Sequence, residues 1–180
     1  MLRLDILPRI PKYISNSKVY GFIDGEVAVE AKTAFFIRGK KKKTPDGEKK
    51  ATPKPPPAEP PAPDYQVQFK VDEDQSYRYA KASLDDNPIH VDPDTAKAAG
   101  LPSVILHGLC TMAMSGKSVV DTLAAGDPRR LKRLGVRFAS PVFNSSELTT
   151  VGWKTDNGSN FIVQDENGKV VIANGVVELA

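Results

Sequence analysis

"ILHGLCTMAMSGKSVVDTLAAG", residues 105–126, holds the longest helical pattern in the chain. Leu109, Met112, Ala113, Val119, Val120 and Leu123 recur at helical spacing, which predicts a helix from about Gly108 to Ala125 with Gly126 as its stop. Strand patterns follow: "RLGVRFAS", "SSELTTVGWKT" and "SNFIVQDENGKVVIANGVVEL", the last folding back at Glu166-Asn167-Gly168. Upstream, "YQVQF" reads as a strand. "DEDQSYRYAKAS" reads as a helix with Asp72 at its N-cap, and "VDPDTAKAAG" as a short helix capped by Asp92 and ended by Gly100. A long apolar helix beside successive antiparallel strands is an α+β arrangement, with the helix buried on one sheet face.

The first third of the chain is built differently. Asp24-Gly25 separates two apolar, β-rich runs, a strong hairpin signal, and Val27, Val29, Ala31, Thr33 and Phe35 alternate onto one face. A lone hairpin is marginal in water. Residues 1–38 are therefore expected to be a fragment of an N-terminal unit, ending in this hairpin. Residues 39–64 form a linker by composition: seven of the eleven residues 53–63 are proline, which favours an extended polyproline chain. Residues 65–180 form the main domain.

The formal charge of +3 belongs to that linker region. Arg38 and seven lysines stand there against four carboxylates, so the remainder is close to neutral and gives no support to nucleic-acid binding. No stretch approaches the roughly 20 apolar residues needed to cross a bilayer. No signal peptide or C-terminal address tripeptide is visible, and the single cysteine, Cys110, fits a reducing compartment.

Chemistry gathers in two stretches. "SLDDNPIHVDPD", residues 83–94, holds four carboxylates and a histidine. Asn87-Pro88 predicts a turn that lets Asp85 and His90 converge on one point, where a carboxylate and an imidazole can grip and deprotonate a water. The same residues also suit a metal ligand set, although no second His or Cys cluster completes a shell, and they suit a capped acidic loop. In "PSVILHGLCTMAMSG", His107-Gly108 opens the long helix, where free N–H groups and the dipole favour a developing oxyanion. The alternative is that Gly108 only lets a buried helix pack closely.

Together the stretches resemble the signature of the MaoC-like dehydratases, or (R)-specific (type 2) enoyl-CoA hydratases. The matching residues are Tyr79, Ser83-Leu84-Asp85-Asp86-Asn87-Pro88-Ile89-His90, Asp92-Pro93 and Ile105-Leu106-His107-Gly108-Leu109, and "RFASPVFNSSEL" looks like the family's strand entry. The resemblance implies a hot-dog fold, a long central helix wrapped by an antiparallel sheet, preceded here by a remnant of a second such unit. It also implies a catalytic set of Asp85, His90, Asn87 (orienting water) and Gly108 (backbone oxyanion donor), with His107 and Leu109 against the substrate.

The implied reaction is reversible hydration of a trans-2-enoyl-CoA to the (R)-3-hydroxyacyl-CoA in fatty-acid β-oxidation. It needs no metal or other cofactor, since coenzyme A belongs to the substrate. A homodimer is expected, with no nucleic acid or membrane partner, in the peroxisome or cytoplasm. Two departures stand out. Leu84 replaces the family's glycine, which keeps open a weak or inactive acyl-thioester-binding module. Phe143-Asn144-Ser145 replaces a Pro-Gly turn and is expected to alter only a loop.

Overall fold

The computed structural model describes residues 1–6, 14–36 and 61–180. Most of the Lys/Pro linker lies outside them. Eight strands form one sheet in the order β2-β3-β1-β5-β8-β7-β6-β4. The strands are β1 (Leu2–Ile6), β2 (Ile14–Ile23), β3 (Glu26–Phe36), β4 (Tyr65–Lys70), β5 (Leu131–Phe138), β6 (Glu147–Thr155), β7 (Gly158–Asp165) and β8 (Val170–Leu179). Three helices cross or flank it: α1 (Gln75–Ser83), α2 (Pro93–Ala98) and α3 (Gly108–Leu123).

The β2–β3 hairpin turns at Asp24-Gly25, as Ile23 pairs with Glu26. Strand β1 has no counterpart in the sequence reading. It is five residues long and runs parallel to both β3 and β5, so it joins the hairpin edge-on to the main domain. Sheet hydrogen bonding therefore runs unbroken from the N-terminal fragment into the main domain. The remaining pairings are antiparallel.

Helix α3 lies across β5–β8 and closes the core. Met112 and Val119 pack there with Leu134, Val136, Leu148, Phe161, Val163 and Ile172, all buried. The buried stripe differs from the one expected. Leu109 is 52% exposed and Ala113 is also exposed, while Ser115 and Ser118 face inward. Their hydroxyls donate back to the carbonyls of Met112 and Met114, at 3.0 and 3.1 Å, so they are buried without an orphaned donor. Small side chains let the helix settle close to the sheet. A Cβ on Gly116 would stand 2.7 Å from a Leu134 methyl carbon.

The α1 cap also differs. Asp72 does not cap the helix; its carboxylate pairs with Arg78. Asp74 takes the cap position without a side-chain capping bond, its carboxylate pairing with Arg78 as well. The cap comes instead from across the fold: Asn144 Oδ1 accepts the Ser76 N–H at 3.1 Å and its amide donates to Ser76 Oγ at 2.9 Å. Ser76 is fully buried. The loop expected to be inconsequential thus anchors the helix that precedes Asp85.

Candidate active site

The segment after α1 behaves as its sequence suggests. The helix ends at Leu84 in the left-handed region, with φ +59°, where glycine is the unstrained choice. The Leu84 side chain is 87% exposed. Asn87-Pro88 then starts a single 3-10 turn, Pro88–His90. Asn87 Oδ1 accepts the Ile89 N–H at 3.3 Å, and the Asn87 N–H reaches Asp85 Oδ1 at 3.4 Å. The Asn87 oxygen is therefore spent on capping, which leaves its amide N–H2 as the group able to meet a water. Asp92 caps α2 by accepting the Asp94 N–H.

His90 points inward, 8% exposed. Its Nδ1 lies 2.7 Å from the Ile105 carbonyl. A carbonyl only accepts, so Nδ1 carries the proton and Nε2 presents a lone pair. The Ile105 N–H in turn donates to the Ile89 carbonyl, and the Leu106 N–H to Val142. Residues 105 and 106 are thus clamped between the 3-10 turn and the 142–143 loop. That clamp brings the start of α3 beside His90, and it has no signature in the sequence.

His107 is 2% exposed and its Nε2 donates to the Asp85 carbonyl at 2.9 Å. Its ring stacks on His90, with centroids 3.8 Å apart and planes 23° apart. One nitrogen or oxygen from each of Asp85, His90 and His107 lies within 4.8 Å of the other two. Nearly parallel rings hold their in-plane lone pairs side by side, not aimed at one centre, which makes the two imidazoles a poor chelate for a metal. Burial pushes the His90 imidazole below its ordinary value, and the neighbouring His107 adds to this; the bond to Ile105 and the Asp85 charge oppose it. A neutral imidazole at neutral pH is the form a general base needs.

A cavity of about 350 Å³ adjoins this cluster, lined by His90, Leu106, Gly108, Thr111, Phe138 and Val142 among others. It is largely apolar, and both His90 and Gly108 line it. Gly108 is the first residue of α3, so its N–H has no intrahelical acceptor. A Cβ there would stand 3.0 Å from the Phe138 ring, so any larger residue would press that ring aside. The close packing expected at Gly108 is therefore seen. Asp85 is exposed and does not line the cavity, though its carboxylate belongs to the cluster beside His90; His107 stacks on His90 and is not on the cavity wall, and the half-exposed Leu109 is not on that wall either. Leu84 lies outside it as well, so its bulk does not fill the cavity.

Residues 55–176 match the family model described as "MaoC like domain". The chain belongs to that family. It is 44% identical over 100 residues to the mouse peroxisomal multifunctional enzyme type 2, covering 55% of this chain and 14% of that protein. The structure of the full-length Drosophila melanogaster enzyme of that name superposes with a TM-score of 0.79 at 32% identity, over 97% of this chain and 32% of that one. A MaoC-like dehydratase from Phytophthora capsici gives 0.78 at 27% identity, over 93% and 56%. The chain spans less than two thirds of each of these proteins. The long helix on a mostly antiparallel sheet is thus a hot-dog arrangement.

Proposed function

We propose that this chain hydrates trans-2-enoyl thioesters, coenzyme A derivatives first among them, to (R)-3-hydroxyacyl thioesters, acting as a hydro-lyase in fatty-acid metabolism. The observation that carries this is the shared cavity: His90, whose Nε2 presents a lone pair, and Gly108, whose helix-start N–H has no intrahelical acceptor, line one apolar cavity, with an Asp85 carboxylate oxygen within 4.8 Å of a His90 ring nitrogen.

Water held between Asp85 and His90 attacks Cβ. His90 Nε2 takes one of its protons as the new C–O bond forms. The π electrons move onto the thioester oxygen, where the Gly108 N–H stabilises the enolate. The enolate then collapses, and the proton on His90 passes to Cα on the same face. One water is consumed and the base is regenerated. Asp85 accepts the second water hydrogen, which orients the oxygen. No step calls for a metal or a redox cofactor.

Relatives with peroxisomal names support a peroxisomal setting, and no helix among the described residues is long and apolar enough to cross a membrane. A second copy of the chain is the proposed partner, since β2 and β3 leave Val19, Phe22 and Ile23 exposed. The test is to mix purified protein with crotonyl-CoA and follow loss of the enoyl absorbance with chiral analysis of the product. Formation of the (R)-alcohol is expected. Tight binding of the thioester with no turnover would instead favour the non-catalytic module.

A further inference from the structure

The hydration mechanism uses Asp85, His90 and Gly108, yet the most buried titratable side chain of the cluster is His107, at 2% exposed. Its position is unusual for a residue that only fills space. One face of its ring lies on His90 at 3.8 Å, and Tyr79 of α1 leans on it with centroids 4.8 Å apart. Its Nε2 spans 22 residues of sequence to hold the Asp85 carbonyl, and its own backbone carbonyl accepts from the Thr111 N–H at the first turn of α3. It also precedes Gly108 directly. One residue therefore touches the loop carrying the carboxylate and the turn carrying the base through its ring, and the helix carrying the amide through its backbone.

Packing alone does not account for this choice. With Nε2 donating, neutral His107 keeps a lone pair on Nδ1, and that atom is buried with no partner among the described residues. Leaving a buried polar atom unpaired is unfavourable, and a phenylalanine would fill the same space without it. What a phenylalanine would lack is the bond to Asp85.

We propose that His107 is a positioning residue: its ring, wedged between Tyr79 and His90 and hydrogen-bonded to the Asp85 backbone, sets the spacing of carboxylate and imidazole across the water they share. This rests on the hydratase reading for its consequence in turnover, but the contact itself is testable without it. The charged or titratable neighbours of His90 are His107 and Asp85, with Tyr79 beyond His107.

The two roles of the ring separate by substitution. His107→Phe keeps the stack and loses the donor; His107→Gln keeps a donor near the Nε2 position and loses the stack. For His107→Phe, kcat on crotonyl-CoA is expected to fall about 10- to 100-fold, an effect smaller than loss of a base outright. KM should change little, and the thermal midpoint should stay near that of the parent. The acid limb of kcat/KM should move to lower pH, since the Asp85 carboxylate, whose charge raises the His90 value, is no longer held beside it. His107→Gln should recover part of the lost kcat.

Unchanged kcat and an unmoved acid limb in His107→Phe would overturn the proposal. So would equal losses in both variants with a lowered thermal midpoint, which would mark a merely structural residue. Should the parent protein fail to hydrate any enoyl thioester, the hydratase reading falls by itself. The positioning role is then judged by NMR titration of the His90 ring. A midpoint displaced downward in His107→Phe supports it, and a midpoint that stays put or rises refutes it.

Discussion

Leu134, Leu4, Ala31 and Val19 form one cross-strand row through β5, β1, β3 and β2, so their side chains share a face of the sheet. Leu134 is 5% exposed, under Gly116 of α3; Val19 is 64% exposed. Nothing in the strand pattern separates the two residues. Both obey the same alternation, and both are apolar. The difference is that α3 covers one half of the sheet and no helix among the described residues covers the other. Alternation tells which side a residue faces; a second layer decides whether that side is dry. The half under the helix also holds the proposed site, since among the described residues a helix start, a clamped loop and a cavity meet there.

The hardest blow to that division comes from the site. His90→Ala and Asp85→Asn are expected to lower the rate of enoyl-thioester hydration by about 10² to 10⁴, near 3–5 kcal/mol of barrier, with folding intact by circular dichroism. A comparable rate loss from Phe22→Ser in a still-folded protein would show that the bare half takes part in chemistry after all.

A smaller effect should appear in stability. Leu134→Ala is expected to cost about 2–5 kcal/mol in urea unfolding, since it empties space under α3. Val19→Ala should stay within about 0.5 kcal/mol at low protein concentration. If Val19→Ala becomes costly as concentration rises, with light scattering reporting a dimer, the bare face is covered by a second copy, and the contrast belongs to the monomer only.

Asn144→Ala removes both bonds to Ser76 and should destabilise by about 1–2 kcal/mol. The loss would be read from the urea midpoint, and an unaltered midpoint would deny the loop its anchoring part. Leu84→Gly is the gentlest test. Relief of the left-handed backbone favours the fold by about 1 kcal/mol, and the freer unfolded chain takes back part of that. A net gain of a few tenths of a kcal/mol is expected, seen as a slightly raised thermal midpoint. A drop would mean that the exposed leucine makes a contact in the assembly.

The pH dependence of stability follows from the same site. Folded His90 resists protonation, its value lying below the ordinary 6.5, so the unfolded chain binds the extra proton first as pH falls. Stability from this group is present above pH 6.5 and declines as pH drops through 6.5 toward the folded value. His90→Phe should flatten that part of the profile in calorimetric scans at pH 5 to 8.

Much was legible in the residues alone. Asn87-Pro88 announced the turn, because proline forbids helical geometry before it. Asp92-Pro93 announced the start of α2, and the Asp24-Gly25 and Glu166-Asn167-Gly168 turns fixed two hairpins. These signals are local: a backbone restriction or a cap reads out within four residues. The helix α3 was legible as an element but not as an oriented one. Leu109 looked like core and is exposed, while Ser115 and Ser118, outside the apolar stripe, are buried, their hydroxyls satisfied within the helix itself.

Sequence by itself determined the element types, the turn positions and the residue kinds available for acid–base chemistry, since each depends on neighbours along the chain. Only the tertiary structure decided that β1 joins two halves of a sheet, that Asn144 caps a helix 68 residues away, and that Ile105 and His107 hold Asp85 and His90 together. Those outcomes depend on backbone carbonyls and ring faces meeting across the fold. Every residue carries the same carbonyl, so the letter at position 105 does not record which imidazole it will hold.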